Sequence, residues 1–143
     1  MDLEVEKEEK IKNSIRAAKF YRSEIVAIIN DTKRRGYIER FTPNLQKKSQ
    51  NFVSLKPLTC MNVSGVFAVG SSDGVVTVSD HEEICRFKCF DFPVTSVLVD
   101  GSYLHACSAD GTYKCMQIKD NRKYTLLFWL LVLFALTFWK MHE

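Results

Sequence analysis

Eight side chains of this sequence have the chemistry of metal ligands or of nucleophile–base pairs: Cys60, Cys85, Cys89, Cys107, Cys115, His81, His105 and His142. A zinc site asks for about four such ligands in paired spacings. A cysteine nucleophile asks for a base within hydrogen-bond reach. Cys85 and Cys89 stand four apart, but no second pair or histidine cluster completes a zinc set. His81 neighbours Glu82 and Glu83 at the spacing of a solvated turn. His105 lies within the apolar run "YLHACS", where a hydrogen-bonded core histidine is expected. There is no HExxH, Walker loop or Rossmann glycine pattern. The expectation is therefore no bond-making catalysis, no metal and no cofactor. No catalytic residue is assigned. The cysteines read as small buried apolar residues in a reducing compartment.

Charge excludes a further class. The chain of 143 residues has 20 Lys/Arg and 17 Asp/Glu, and the part before Tyr124 holds 19 and 16 of these. Both counts leave +3, too little for a nucleic-acid surface, which concentrates many more cations on one face. The basic groups Lys33 to Arg35 and Lys47-Lys48 could touch acidic lipid head groups, but read more simply as exposed turns. The length suits one domain with a modest core.

The elements that would position any site repeat. "PLTCMNVSGVFAVGSSDGVVTVSD" (57–80) lies over "PVTSVLVDGSYLHACSADGTYKCMQI" (93–118). Pro57 meets Pro93, Thr59 meets Thr95, Val63 meets Val99, and Gly65 meets Gly101. After one inserted residue, Ser71 meets Ser108 and Asp73-Gly74 meets Asp110-Gly111. "TCMNV" and "TSVLV" have the β-branched bias of strands, while "VFAVGS" and "YLHACS" read as strands covered on both faces. Asp-Gly supplies the positive-φ positions of a hairpin, and "VVTVSD" and "TYKCMQI" follow as outer strands. A further short segment fits after each unit, as "EEICRFKCF" does between the last two. A weaker copy occupies 14–41, where "RRG" replaces Asp-Gly and predicts a looser turn. Three or four strands per unit, recurring every 36 to 43 residues, is the period of a WD-type β-propeller. Its usual signatures are degenerate, with Ser79-Asp80 where Trp-Asp is expected. The expected fold is all-β: about three propeller blades over 14–118, after a charged arm at 1–13 that forms a short helix or a frayed end. About three blades leave a ring open, and a second chain completing it is one resolution.

The C-terminal part predicts a membrane anchor. Tyr124 to Trp139 is uncharged and apolar on every face, unlike a core helix with its polar stripe. As a helix it reaches about 24 Å, close to the thinner endoplasmic reticulum core of about 27 Å. Tyr124, Trp129 and Trp139 are the aromatic anchor residues. The charged start "MDLEVEKEEKIKN" is not a secretory signal. The basic linker 119–123 then places the N-terminal part in the cytosol, with 140–143 as a short lumenal tail. On that topology the sequons Asn30-Asp31-Thr32 and Asn62-Val63-Ser64 carry no sugar.

WD-type repeats running into a C-terminal span, through "IRAAKFYRSEIVAIINDTKRRGYIERF", "LTCMNVSGVFAVGSSDGVVTVSD" and "PVTSVLVDGSYLHACSADGTYKCMQI", resemble the Sec-twelve / prolactin regulatory element-binding protein family. The likeness covers Ser14 to Trp139, as a short or C-terminal form of that family. The resemblance implies an endoplasmic-reticulum-anchored guanine-nucleotide exchange factor for a Sar-type small GTPase, acting in coat-vesicle budding towards the Golgi. The implied partners are that GTPase and the membrane lipid. In that family a glycine-rich loop of the first blade binds a cation and enters the nucleotide site. This chain has six glycines, none adjacent to another, so no position inherits that role. The alternative is a non-catalytic, membrane-tethered scaffold that recruits a partner protein.

Overall fold

A computed structural model of the protein describes residues 4–8, 10–79 and 84–119. The expected span 124–139, with Tyr124, Trp129 and Trp139, and the tail 140–143 lie outside the described residues. Among those described, no helix is long and apolar enough to cross a membrane.

Among the described residues, eleven strands form three separate antiparallel sheets. Sheet 1 runs in the order β1 (Ser14–Tyr21), β2 (Glu24–Asn30), β3 (Gly36–Phe41), β4 (Lys47–Ser54). Sheet 2 follows with β5 (Leu58–Ser64), β6 (Val66–Ser71), β7 (Val75–Ser79) and β8 (Ile84–Lys88). Sheet 3 has β9 (Val94–Asp100), β10 (Tyr103–Ser108) and β11 (Tyr113–Gln117). Every sheet is a meander, because short polar turns join neighbours in space. The two Asp-Gly hairpins therefore belong to different sheets, as the repeat predicts.

The repeat extends to details that the letters do not show. Each sheet's first strand carries a β-bulge at the same distance from its hairpin turn, skipping Arg16, Thr59 and Thr95. A bulge inserts one unpaired residue and bends its strand, so the three sheets bend alike. Gly74 (φ +80°) and Gly111 (φ +86°) take the left-handed conformation that the two turns require. The N–H of the residue after each turn's first serine also repeats: Ser72 donates to the Pro57 carbonyl and Ala109 to the Pro93 carbonyl, both at 2.9 Å. The looser turn of sheet 1 is instead built by Asp31. Its Oδ1 accepts from the N–H groups of Lys33 (2.9 Å) and Arg35 (2.8 Å), and Arg34 takes φ +62°.

The sheets stack through their inner strands: β1 and β2 against β5, and β5 and β6 against β9. The first joint is sealed by Val26, Ile28, Ile38, Leu58, Met61, Phe67 and Val69. The second is sealed by Ala68, Val76, Phe90, Val94, Val97, Leu104 and Ala106. Alternation explains both. A strand between two joints must be apolar on each face, and "VFAVGS" in sheet 2 is buried almost throughout.

Two expectations need correction. "YLHACS" is not covered on both faces: β10 alternates, with Leu104, Ala106 and Ser108 buried and Tyr103 exposed, because no described element lies beyond sheet 3. His105 consequently sits half-buried on that outer face rather than in the core. A fourth strand, β4, completes sheet 1. Its sequence "KKSQNFVS" gave little apolar signal because only Val53 is buried. The arm is neither helix nor strand over residues 4–8 and 10–13; Ile11 rests against Ala27, Ile29 and Phe41.

Candidate functional site

Residues at the two joints are polar where polarity looks out of place. Asn30, at the end of β2, is buried, donates Nδ2–H to the Leu58 carbonyl (2.9 Å) and accepts from the Leu58 N–H (2.8 Å). It satisfies both backbone groups that β5 would otherwise bury unpaired at its start. At the next joint, Asn62 Oδ1 accepts from the Val99 N–H (3.1 Å), and the Thr59 hydroxyl donates to the Val94 carbonyl (2.5 Å). Both sequon asparagines are thus buried ties between sheets. A sugar on either would have to displace such a tie.

Further from these ties, sheets 1 and 2 leave a cavity of about 260 Å³ between β3–β4 and β6–β8. Ile38, Val53, Phe67 and Val69 supply apolar lining; Arg40, Asn51, Thr77 and Ser79 supply polar groups. The Arg40 guanidinium lies 5.0 Å from the Phe67 ring centroid, and its Nη1 is 3.9 Å from Glu24 Oε2. Its Nε is buried and makes no hydrogen bond. A cation with an unused donor, beside an amide, two hydroxyls and an aromatic wall, suits a carbonyl or carboxylate on an inserted side chain. Among the described residues the lining holds no acid, histidine or cysteine; its groups are those of a binding cleft. No motif or spacing points to it. Arg40 reads only as a polar position in the strand "GYIERF".

The nucleophile candidates are dispersed. Burial pushes the Cys60 and Cys89 thiols up, the first against a hydrogen bond from Thr59, the second against the nearby charge of Lys114. Such thiols stay protonated and unreactive at neutral pH. Cys89 Sγ lies 3.6 Å from Met116 Sδ. His105 Nδ1 and the Tyr113 hydroxyl share a 2.6 Å hydrogen bond, with the two rings stacked. Among the described residues no group of three His, Cys, Asp or Glu converges.

No protein-family model matches the chain, and no curated protein matches it. Solved structures do match. A chain of the mitotic checkpoint complex superposes with a TM-score of 0.65 at 13% identity, over 80% of this chain and 38% of its own. BamB from Moraxella catarrhalis gives 0.53 at 25% identity, over 70% of this chain and 30% of its own. The fold is β-propeller-like. The computationally designed Ika4 protein aligns over its entire length and 83% of this chain, with a TM-score of 0.56 at 15% identity. The propeller-like stack therefore spans well under half of the two natural chains, and all of the designed one.

The carboxylates around this stack set its pH behaviour. Burial works against the charged form of Asp31, but the N–H and guanidinium of Arg35 and the N–H of Lys33 outweigh it and hold the carboxyl below its ordinary value. The Thr112 N–H does the same for Asp110, and a hydrogen bond from Lys48 does so for Glu24. All three are depressed in the folded state. Their stabilisation is fully present above the unfolded carboxylate range and is lost as pH falls through the folded values. Urea midpoints of the chain should therefore fall below about pH 4, and by less for Asp31→Asn. A wild-type midpoint that stays level from about pH 5 to about pH 3 would show that these contacts add nothing.

Proposed function

We infer that this chain is a WD-type, endoplasmic-reticulum-anchored guanine-nucleotide exchange factor for a Sar-type small GTPase in vesicle budding towards the Golgi. One observation carries the reading. Repeated hairpin sheets run in order into the apolar stretch Tyr124 to Trp139, an arrangement resembling the Sec-twelve / prolactin regulatory element-binding protein family. The anchor would hold 14–118 at the cytosolic face, beside a GTPase recruited to the same membrane. Exchange is a binding function: contacts on the GTPase weaken its hold on nucleotide and metal, and no covalent step is required. The cleft at Arg40, with its hydrogen-bonding and apolar lining, suits such a role.

A second reading, a membrane-tethered scaffold without exchange activity, is favoured by one feature. The chain has no two adjacent glycines and so nothing corresponding to the family's nucleotide-site loop. One experiment separates the two. Full-length protein in liposomes is mixed with a Sar-type GTPase loaded with fluorescent GDP. The exchange reading expects release to accelerate by about tenfold or more, which is about 1.4 kcal/mol of barrier. Binding without acceleration would establish the scaffold reading. Absence of both binding and acceleration would refute the GTPase as partner.

A further inference from the structure

Sheets 1 and 2 meet through β1, β2 and β5, and part towards their outer strands, where the cleft at Arg40 opens. The register decides which side chains face it. Arg40 pairs with Val26, a residue of the sealed joint, so both point towards sheet 2. In sheet 2, Thr77 pairs with Val69 and Arg86, and Ser79 with Phe67 and Ile84. Val69 and Phe67 belong to the same joint, so Thr77, Ser79, Ile84 and Arg86 look back at sheet 1.

The two guanidinium groups of this opening are used differently. Arg86 Nη2 donates to the Val53 carbonyl (3.1 Å) and ties the sheets at one wall of the cleft. Arg40 has no such acceptor. Its Nε is buried without a hydrogen bond. Its Nη1 stands 3.9 Å from Glu24 Oε2, beyond hydrogen-bond reach, and that carboxylate is held by Lys48. An acceptor that enters the cleft would therefore restore a bond that folding gave up. Arg40 lines the cleft and its side chain is 30% exposed, so the guanidinium is within reach. Nε–H and an Nη–H form the fork that takes both oxygens of a carboxylate.

Size and lining select the occupant. A volume of about 260 Å³ is less than the roughly 300–1,000 Å³ of a site for a free small molecule, and suits one or two side chains. Among the described residues, Arg40, Arg86 and Lys48 stand at or beside the cleft against one carboxylate, Glu24, which favours a negative group. An inorganic anion would leave Ile38, Val53 and Phe67 without contact. Phe52 (49% exposed) and Ile84 (56%) carry that apolar lining out to solvent. We propose that the cleft is a docking pocket for an acidic segment of a partner protein. A glutamate or aspartate side chain bonds Arg40, and an apolar residue next to it covers Phe52 and Ile84. The chemistry of the pocket does not rest on the exchange-factor reading.

The test titrates the full chain, isotope-labelled in non-ionic detergent micelles, with the capped peptide Ser-Leu-Glu-Leu-Ser, and follows the arginine Nε–H signals by NMR. The signal that is missing from Arg40→Lys should shift, with a Kd of about 1 mM or tighter. The same peptide with glutamine in place of glutamate should bind about tenfold more weakly or worse. Arg40→Lys keeps the charge and removes the fork, and should also weaken binding by about tenfold or more, with folding checked by circular dichroism. The glutamine peptide decides the matter even if Arg40→Lys fails to fold. No binding at about 10 mM peptide would overturn the proposal, as would equal binding of the two peptides or equal binding by a folded Arg40→Lys. Tighter binding with phosphoserine in place of the glutamate would also overturn it, since the cleft would then be a phosphate site.

Discussion

Gly74→Ala should destabilise the protein by about 4 kcal/mol, while Gly111→Ala should cost about 1 kcal/mol. The two glycines hold the same place in the same turn, at φ +80° and +86°, so the conformational penalty is shared. What differs is the surroundings. A Cβ at Gly74 would lie 1.9 Å from the Phe90 carbonyl oxygen, whereas nothing lies within 4 Å of one at Gly111. Backbone cannot swing aside as a side chain can. Here it is pinned, since the Gly74 carbonyl accepts from the N–H groups of Cys89 (3.0 Å) and Phe90 (3.1 Å). Moving that connection would drag Cys89 and Phe90 out of the second joint. Urea denaturation of the two variants gives the comparison, and equal losses would show that the Phe90 contact is not what constrains the turn. Against a total of about 5–15 kcal/mol, the Gly74 loss is a large fraction of the stability.

Asn30→Ala should lower stability by about 3 kcal/mol. The substitution removes two hydrogen bonds at once and leaves the Leu58 N–H and carbonyl buried without partners. Each orphaned group costs about 1–3 kcal/mol, more than the net worth of an exposed hydrogen bond. Asn62→Ala removes one bond and should cost roughly half as much. Amide hydrogen exchange adds a local readout: Leu58 should lose protection in Asn30→Ala before the centre of β6 does. If both alanine variants stayed within about 0.5 kcal/mol of wild type, water would be doing the work assigned to the asparagines.

Strand content was legible because local physics dictates it. β-Branched runs, Asp-Gly turns and matched Pro, Thr and Val positions located β5–β7 and β9–β11 within a residue or two. β4 was not legible, since a strand with one buried residue carries little periodic signal. Asn30 read only as part of a sequon expected to carry no sugar, because its partner, Leu58, lies 28 residues away. Nor could the sequence show the cleft at Arg40. Phe67, which the guanidinium covers, belongs to another sheet, and no spacing rule links the two.

The amino-acid order by itself determined that this protein is built of repeated antiparallel hairpins with Gly74 and Gly111 at their turns, because turn chemistry and alternation act over a few residues. Only the tertiary structure decided which strands of the separate sheets meet at each joint, which asparagines tie them, and where the cleft at Arg40 opens. Those outcomes depend on contacts between residues far apart in sequence, and on the bulge common to β1, β5 and β9 that bends each sheet alike.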